Sequence, residues 1–392
     1  MKSITDIELR GKKVLVRVDF NVPLTEEGKI DDDARIRAAL PTLQHAAEQG
    51  AKLIVASHLG RPKGERNDTL SLSPVAVRLE ALMERTVRMA PDCVGPEVEA
   101  MTEGMQPGEV VLLENLRFHG EEQANDDDFG RALGGLCDLY VNDAFAVSHR
   151  ANASVAAVTK HVTQKAAGLL LVKELSWFQK AMDNPRRPLV AIVGGAKISS
   201  KLGALKNMLQ HVDKIIIGGA MANTFLKSFG YDVGNSKVEE DRIETAREVY
   251  RHAMAMGVKF YLPVDVVAAR TFEADAESRV YTAQEIPAGW MAMDIGPSTT
   301  TLFSEALNDA GTILWNGPMG VFEMNAFSRG TFSMSHALAA SRALTIVGGG
   351  DTGSAVHKAG DSEHMSYIST GGGAFLALME GKTLPAVAAL EE

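Results

Sequence analysis

Short runs of valine, isoleucine and leucine recur along the whole chain with helix-like stretches between them, and this alternation restricts the fold more than any other feature. The first half carries Val14–Val18, Leu53–Ala56, Val110–Leu113 and Leu139–Val141. The second carries Leu189–Val193, Ile215–Ile217, Ile313–Trp315, Leu344–Val347 and Tyr367–Ser369. A strand with one wet face alternates apolar and polar residues. These runs are continuously apolar, so both faces have to be covered, a condition met by parallel strands between layers of helices. The expected class is α/β, with one doubly wound sheet in each half. At 392 residues the chain is too long for one ordinary core, which argues for two domains. Their division is expected near residues 170–188. Leu169–Met182 reads as a helix, and Asn184-Pro185-Arg186-Arg187-Pro188 ends it before the next strand. A helix bridging two sheets in this way is a hinge candidate.

Composition narrows the function classes. A net charge of −10 disfavours nonspecific contact with nucleic acid, whose phosphates would be repelled, but leaves room for a small anion held by a local basic cluster. The amino-terminal MKSITDIELRGKK has no apolar signal core, and no apolar run approaches the ~18 residues of a membrane span. Cys93 and Cys137 have no metal-ligand spacing and cannot make a disulfide framework, so reduced thiols are expected. A soluble, cytoplasmic protein without nucleic-acid or membrane partners fits these features.

Unusual residues end the apolar runs: Arg17-Val18-Asp19-Phe20-Asn21, Ser57-His58, Glu114-Asn115-Leu116-Arg117, Asn142-Asp143, Gly194-Gly195, Gly218-Gly219, Gly348-Gly349-Gly350 and Gly371-Gly372-Gly373. In open parallel sheets, ligands bind beyond the carboxyl ends of the strands. Each half therefore presents a site, arginine-rich in the first and glycine-rich in the second. Asp19, Asn21, Arg35, His58, Arg61, Arg117, His149 and Arg150 fall at or just after strand ends. Converging guanidinium forks suit a multiply charged anion bearing carboxylate or phosphate. Arg35 and Arg37 open a helix expected over Ala34–Gln49, where the dipole disfavours cations, and Asp31-Asp32-Asp33 stand ready to neutralise them.

In the second half, Gly194-Gly195-Ala196-Lys197-Ile198-Ser199-Ser200-Lys201 follows a strand and reads as the opening of a helix. Lys197 and Lys201 would then share a helix face, a mutually repulsive arrangement that a polyanion would relieve. Glycines ahead of a helix expose backbone N–H groups to phosphate oxygens. Gly348-Gly349-Gly350-Asp351-Thr352-Gly353 matches GxGxxG, the dinucleotide fingerprint, yet the next run ends in Ser369-Thr370-Gly371 and offers no acid for a ribose. Asp351 would repel phosphate unless a Mg²⁺ ion bridges the two. No GxxxxGK[ST] occurs, so this is not a P-loop protein.

With these residues on the page, the chain resembles the phosphoglycerate kinase family. The segments that carry the resemblance are VLVRVDFNVP (14–23), DARIRAALPT (33–42), SHLGRP (57–62), ENLRF (114–118), NDAF with HR (142–150), VGGAKISSKL (193–202), LWNGPMGVFE (314–323), GGGDT (348–352) and STGGGA (369–374), in family order, with EGKTLPAVAAL closing the chain. The resemblance implies two Rossmann-like domains, each a parallel sheet flanked by helices, joined by a hinge helix. The domains would be residues 1–170, with 380–392 packing back onto them, and 188–379, with 171–187 as hinge and linker. It implies a monomeric glycolytic enzyme that transfers a phosphoryl group reversibly between 1,3-bisphosphoglycerate and ADP, giving 3-phosphoglycerate and ATP, in line and after domain closure. It further implies that Asp19, Asn21, Arg35, His58, Arg61, Arg117 and Arg150 contact 3-phosphoglycerate. Nucleotide would lie on Lys201, Glu323, Gly349, Gly350, Asp351 and Thr352, with Asp351 on Mg²⁺. Arg35, Lys197 and the amides of Gly371, Gly372 and Gly373 would serve the moving phosphoryl group. One departure stands at Asn152, where the family often has a histidine.

The chemistry suits this inventory. A carboxylate acceptor is already ionised at neutral pH, so no general base is required. Alignment and positive charge on the transferring oxygens are what the reaction needs. Two other classes remain to be weighed: a NAD-dependent dehydrogenase using GGGDTG as its fingerprint, and a non-catalytic binder of phosphorylated ligands.

Overall fold

The computed structural model describes residues Met1–Glu392, and each apolar run forms a strand of one of two parallel sheets. In the first sheet, β1 (Lys13–Arg17), β2 (Lys52–Ala56), β3 (Val87–Met89), β4 (Val110–Leu112), β5 (Leu139–Asn142) and β6 (Gln164–Ala167) lie in the order β3-β4-β2-β1-β5-β6. All of its ladders are parallel, with Val16 beside Val55 on one side and Val141 on the other. The core packs Val14, Val16, Leu53, Val55, Leu112 and Val141 against Ile36, Ala39, Leu43 and Ala46 of the Ala34–Glu48 helix. Those helix positions recur at three- and four-residue intervals, so one face is buried while Pro41 sits on the exposed one.

The second parallel sheet contains β7 (Leu189–Val193), β8 (Lys214–Ile217), β10 (Lys259–Tyr261), β15 (Thr312–Asn316), β16 (Leu344–Gly348) and β17 (Tyr367–Ile368), in the order β10-β8-β7-β15-β16-β17. The chain runs outward from β7 in one direction and then from β15 in the other, which puts the topological switch point between β7 and β15. An excursion between β8 and β15 adds structure that the apolar runs do not announce. It holds a short parallel pair, β9 (Asp232–Val233) with β13 (Glu285–Ile286), and a three-stranded antiparallel sheet of β11 (Asp265–Ala269), β12 (Ser278–Thr282) and β14 (Met291–Ile295). The second half is thus a doubly wound sheet with an antiparallel addition.

Residues Met1–Ser176 with Thr383–Glu392 form one unit and Trp177–Lys382 the other. The division falls inside the Leu169–Met182 helix. In the first unit the carboxyl-terminal helix Pro385–Glu391 is fixed by Ala386 N–H donating to the Ser148 carbonyl at 3.2 Å. Ala386 packs there with Ala144, Val147 and Val155, and Lys165 Nζ donates to the Ala389 carbonyl at 3.2 Å.

Candidate active site

At the carboxyl ends of β1, β2, β4 and β5 the first unit assembles its basic residues. Asp19 is the organiser. One carboxylate oxygen accepts from Arg35 Nη1 at 2.7 Å and the other from the Asn21 N–H at 3.0 Å. Burial pushes its carboxyl upward, but His58, Arg35 and the Asn21 amide outweigh it and hold the group below the usual range. Asn21 in turn accepts from the Gly60 N–H at 2.7 Å, joining the loops after β1 and β2. Arg35 is therefore drawn toward Asp19, whereas Asp33 takes Arg37 at 2.8 Å and Arg78 at 2.6 Å. The acidic run neutralises only one of the two helix-start arginines.

His58 is buried, and burial together with Arg17, Arg117 and Arg35 drives its pKa well below the ordinary value in spite of Asp19. It is neutral at physiological pH. Arg17 Nη2 lies 3.2 Å from its Nδ1, and a guanidinium can only donate. Nδ1 is therefore the acceptor and Nε2 carries the proton, with no protein acceptor for it. Arg117 is buried too. Its Nη1 donates to the Gly60 carbonyl at 2.7 Å, while its Nε has no partner. Burial first, then Arg17 and Arg150, push its pKa down to about 10. Arg61 and Arg150 are exposed and have no acidic partner; Arg150 Nε donates to His149 Nε2 at 3.1 Å.

A second layer was not legible as a site. Arg17, fully buried, donates to Ser154 Oγ at 2.8 Å and faces Glu122 at 3.8 Å. Ser154 also donates to Glu122 through Oγ at 2.7 Å and through its backbone N–H at 2.8 Å. Asn152, the departure noted above, donates to the same carboxylate at 3.3 Å. It thus joins the support of Arg17. Glu122, in the short helix Gly120–Ala124, and Ser154, in a turn, lie far from β1 in sequence, and only their polarity in buried surroundings could have flagged them.

In the second unit the site gathers at the switch point. Gly194 follows β7 and Gly317 follows β15, and a Cβ on Gly194 would lie 2.2 Å from the Pro318 carbonyl oxygen. Only glycine permits this approach. The expected helix over Gly194–Lys201 is corrected: the helix begins at Leu202, with Lys201 as its cap. Gly195 at φ +118° and Ser199, whose N–H and hydroxyl both donate to Glu239, hold the segment as a loop. Lys197 and Lys201 do not share a helix face. Lys197 is exposed, whereas Lys201 turns inward and its Nζ donates to Asn316 Oδ1. Burial lowers the Lys201 pKa to about 8, against the opposing pull of Asp351 and Glu380.

Asn316, at the end of β15, is buried and its Nδ2 lacks a partner. It was missed as a site residue, although it ends an apolar run as the others do. Gly349, at φ +99°, caps the Gly350–Ala359 helix, whose first turn carries Asp351 and Thr352. Thr352 is buried and its Oγ1 accepts from the Gly317 N–H at 2.7 Å. Gly371 caps the Gly372–Met379 helix, and a Cβ on Gly372 would meet Gly349 Cα at 3.0 Å. The two glycine loops therefore lie against each other, so Gly371, Gly372 and Gly373 neighbour Gly349 and Gly350. Beside them opens a mainly apolar cavity of about 370 Å³. Its walls include Gly219, Ala220, Phe272, Met291, Pro318 and Val321, with Glu323 and Asp351 among its polar residues. Such a cavity, with a few polar groups at its edge, suits a flat aromatic ligand joined to an anion.

A family model described as phosphoglycerate kinase matches residues 4–382. The chain belongs to the phosphoglycerate kinase family. It is similar to the phosphoglycerate kinase of Geobacter metallireducens, 61% identical over 100% of this chain and 99% of that one. The phosphoglycerate kinase of Geotalea uraniireducens is 61% identical over 98% of this chain and 96% of its own length. Among solved structures, phosphoglycerate kinase from Coxiella burnetii has a TM-score of 0.89 at 42% identity, covering 99% of this chain and 98% of that one. The enzyme from Pyrococcus horikoshii has a TM-score of 0.87 at 31% identity, covering 100% and 98%. Membership makes this chain a phosphotransferase of glycolysis, exchanging a phosphoryl group between 1,3-bisphosphoglycerate and ADP to give 3-phosphoglycerate and ATP. A dehydrogenase reading of GGGDTG is thereby excluded.

Proposed function

We propose that residues 1–170, with 380–392, hold 3-phosphoglycerate and that residues 188–379 hold the nucleotide. Asp19, Asn21, Arg35, His58, Arg61, Arg117 and Arg150 would take the first; Lys201, Glu323, Gly349, Gly350, Asp351 and Thr352 the second. The supporting observation is a buried donor without a partner at each site, Arg117 Nε and Asn316 Nδ2. An unmet buried donor costs about 1–3 kcal/mol, which an anionic ligand recovers on binding. His58 Nε2–H supplies a further neutral donor to the first site, and Asn21 sets the loop that carries Gly60 and Arg61.

Phosphoryl transfer then depends on position and charge. Arg35 is only partly committed, to Asp19, and is free to turn toward the transferring oxygens. Lys197 and the amides of Gly371, Gly372 and Gly373 bring further positive potential. Mg²⁺ is expected with the nucleotide. The residues fit such an ion: Asp351 is an exposed oxygen donor in the first turn of a helix capped by glycine, and Mg²⁺ favours one or two carboxylates together with phosphates. The ion would neutralise phosphate charge beside that carboxylate. In-line transfer requires both ligands to meet with water excluded, so closure about the 171–187 hinge is part of the proposal. A cytoplasmic monomer is proposed as well. The net charge of −10 and the lack of any helix long and apolar enough to cross a membrane are compatible with it.

The test is a coupled assay of acyl phosphate formation from ATP and 3-phosphoglycerate, with and without Mg²⁺, run beside solution scattering. Turnover that persists in chelator would remove the metal from the proposal. A radius of gyration unchanged between the free enzyme and the ternary complex would remove closure while leaving the kinase assignment intact.

A further inference from the structure

We propose that Asp92, Cys93 and His119 form a binding site for a soft divalent cation, Zn²⁺ by preference, separate from the phosphoryl-transfer machinery. The three residues have no ligand spacing in sequence, and the sheet brings them together. β3 and β4 are hydrogen-bonded neighbours with Met89 beside Leu112, so the loops leaving their carboxyl ends run side by side. The first loop carries Asp92 and Cys93, and the second reaches His119 after the Leu116–Phe118 turn. One donor atom from each residue lies within 4.8 Å of the others. His119 Nε2 is 2.7 Å from Asp92 Oδ1, and that same oxygen accepts the Cys93 N–H at 2.6 Å.

Apart from the Cys93 N–H on Asp92 Oδ1, the surrounding backbone fixes these donors without using them. Ala90 N–H donates to the Leu112 carbonyl at 2.8 Å, Glu114 N–H to the Asp92 carbonyl at 3.3 Å and His119 N–H to the Leu116 carbonyl at 3.2 Å. The imidazole leans on the Phe129 ring, 5.2 Å between centroids. Cys93 is buried, whereas the Asp92 and His119 side chains are 43% and 27% exposed, so a cation can enter from solvent and meet the thiol behind.

The donor set selects the ion. A thiolate, a carboxylate and a neutral imidazole together cancel a divalent charge. Three mixed ligands with one position left to water is a common zinc arrangement, and sulfur disfavours Mg²⁺. Burial and the neighbouring Asp92 keep the thiol in its protonated form. That same carboxylate attracts a cation, which would replace the thiol proton and release it. The competing reading is an Asp92–His119 ion pair with an inert cysteine behind it.

Cobalt distinguishes the two, because only a ligated thiolate gives a sulfur-to-cobalt charge-transfer band in the near ultraviolet. The untagged, metal-stripped full chain is titrated with Co²⁺ and then Zn²⁺ under a non-thiol reductant. One equivalent of Co²⁺ should raise the band and Zn²⁺ should displace it. Cys93→Ser should abolish the band, and Cys137→Ser should keep it. Loss of an outer-sphere partner alone costs about 10–100-fold in metal affinity, so His119→Gln should weaken Zn²⁺ by at least ~100-fold. No band in the wild-type protein, a band that survives Cys93→Ser, or unchanged Zn²⁺ affinity in His119→Gln would each overturn the site. Should Cys93→Ser not fold, the wild-type spectrum and the His119→Gln titration decide the matter.

Discussion

Lys201 gives the sharpest prediction, because its environment is set to change on nucleotide binding. In the free protein, burial holds its pKa down to about 8, although Asp351 and Glu380 pull the other way. At pH 8 about half of the molecules therefore carry a neutral amine. A polyphosphate beside Nζ favours the charged form and restores the pKa toward the ordinary ~10.4 of a lysine. Binding should then take up roughly 0.5 proton at pH 8, about 0.1 at pH 7 and about 0.9 at pH 9. By the same linkage, affinity is level below pH 7 and falls about tenfold per pH unit above pH 8, since the protonated form becomes scarce in the free protein. Calorimetric titration with MgADP in two buffers of different ionisation enthalpy measures the uptake directly, and at these pH values the nucleotide phosphates are already ionised. Lys201→Met should bind weakly at every pH and show neither uptake nor slope. Zero proton uptake at pH 8–9, or a Lys201→Met protein that keeps the wild-type pH slope, would refute the assignment of Lys201 to the nucleotide phosphates.

Further outcomes are expected at three residues. Asp351→Asn should weaken MgADP far more than 3-phosphoglycerate in binding titrations, and equal weakening of both would contradict its place beside the metal. Arg35→Ala should cut kcat by orders of magnitude while 3-phosphoglycerate still binds; a change confined to KM would mean that Arg35 provides only uniform binding. Asp143 Oδ1 accepts the N–H groups of Leu170 and Leu171 at 2.9 and 3.1 Å, so Asp143→Ala should cost about 2–4 kcal/mol in urea unfolding by stranding one buried and one half-buried donor. Burial raises the Asp143 pKa to about 7, so the wild-type protein should lose stability as pH rises from about 4 to 7. Asp143→Asn keeps the acceptor and should flatten that dependence.

The interior strands were legible because a strand covered on both faces has to be apolar throughout. β3, β6, β10 and β17 are the edges of their sheets, and their half-covered faces admit Arg88, Gln164, Lys165 and Lys259. Of these, only β17 showed as an apolar run. The antiparallel excursion escaped for a related reason: β12 is mostly exposed and β11 is a short run that the chain does not follow with a helix. Polar residues at strand ends singled out Asp19, His58, Arg117 and Asp351 as candidates, since a fold of this class puts such positions on one side of the sheet. Lys197 and Lys201 misled, because helical spacing was assumed where Gly195 and the Ser199–Glu239 bonds hold a loop. What no local pattern could show is long-range supply, in which Glu122 and Ser154 reach Arg17 across more than a hundred residues.

That supply explains how so many cations share one end of a sheet. Unpaired, Arg17, Arg35, Arg117, Arg61 and Arg150 would repel one another, and burying the first and third would add desolvation to the repulsion. Complete pairing would abolish any affinity for an anion. The protein divides the two demands by depth. Arg17, deepest, is met by Glu122 with Ser154 between them, and so acts as scaffold for His58. Arg35, at middle depth, shares Asp19, a carboxylate also committed to the Asn21 amide, and keeps some freedom. Arg61 and Arg150, outermost, have no acid at all. Arg117 measures what is left: its pKa is pushed down to about 10 by burial and by Arg17 and Arg150, against Glu122 and Asp19. The outermost arginines are thus left without an acid where solvent reaches them. Replacing Glu122 should therefore disturb folding before binding, whereas replacing Arg61 or Arg150 should do the reverse.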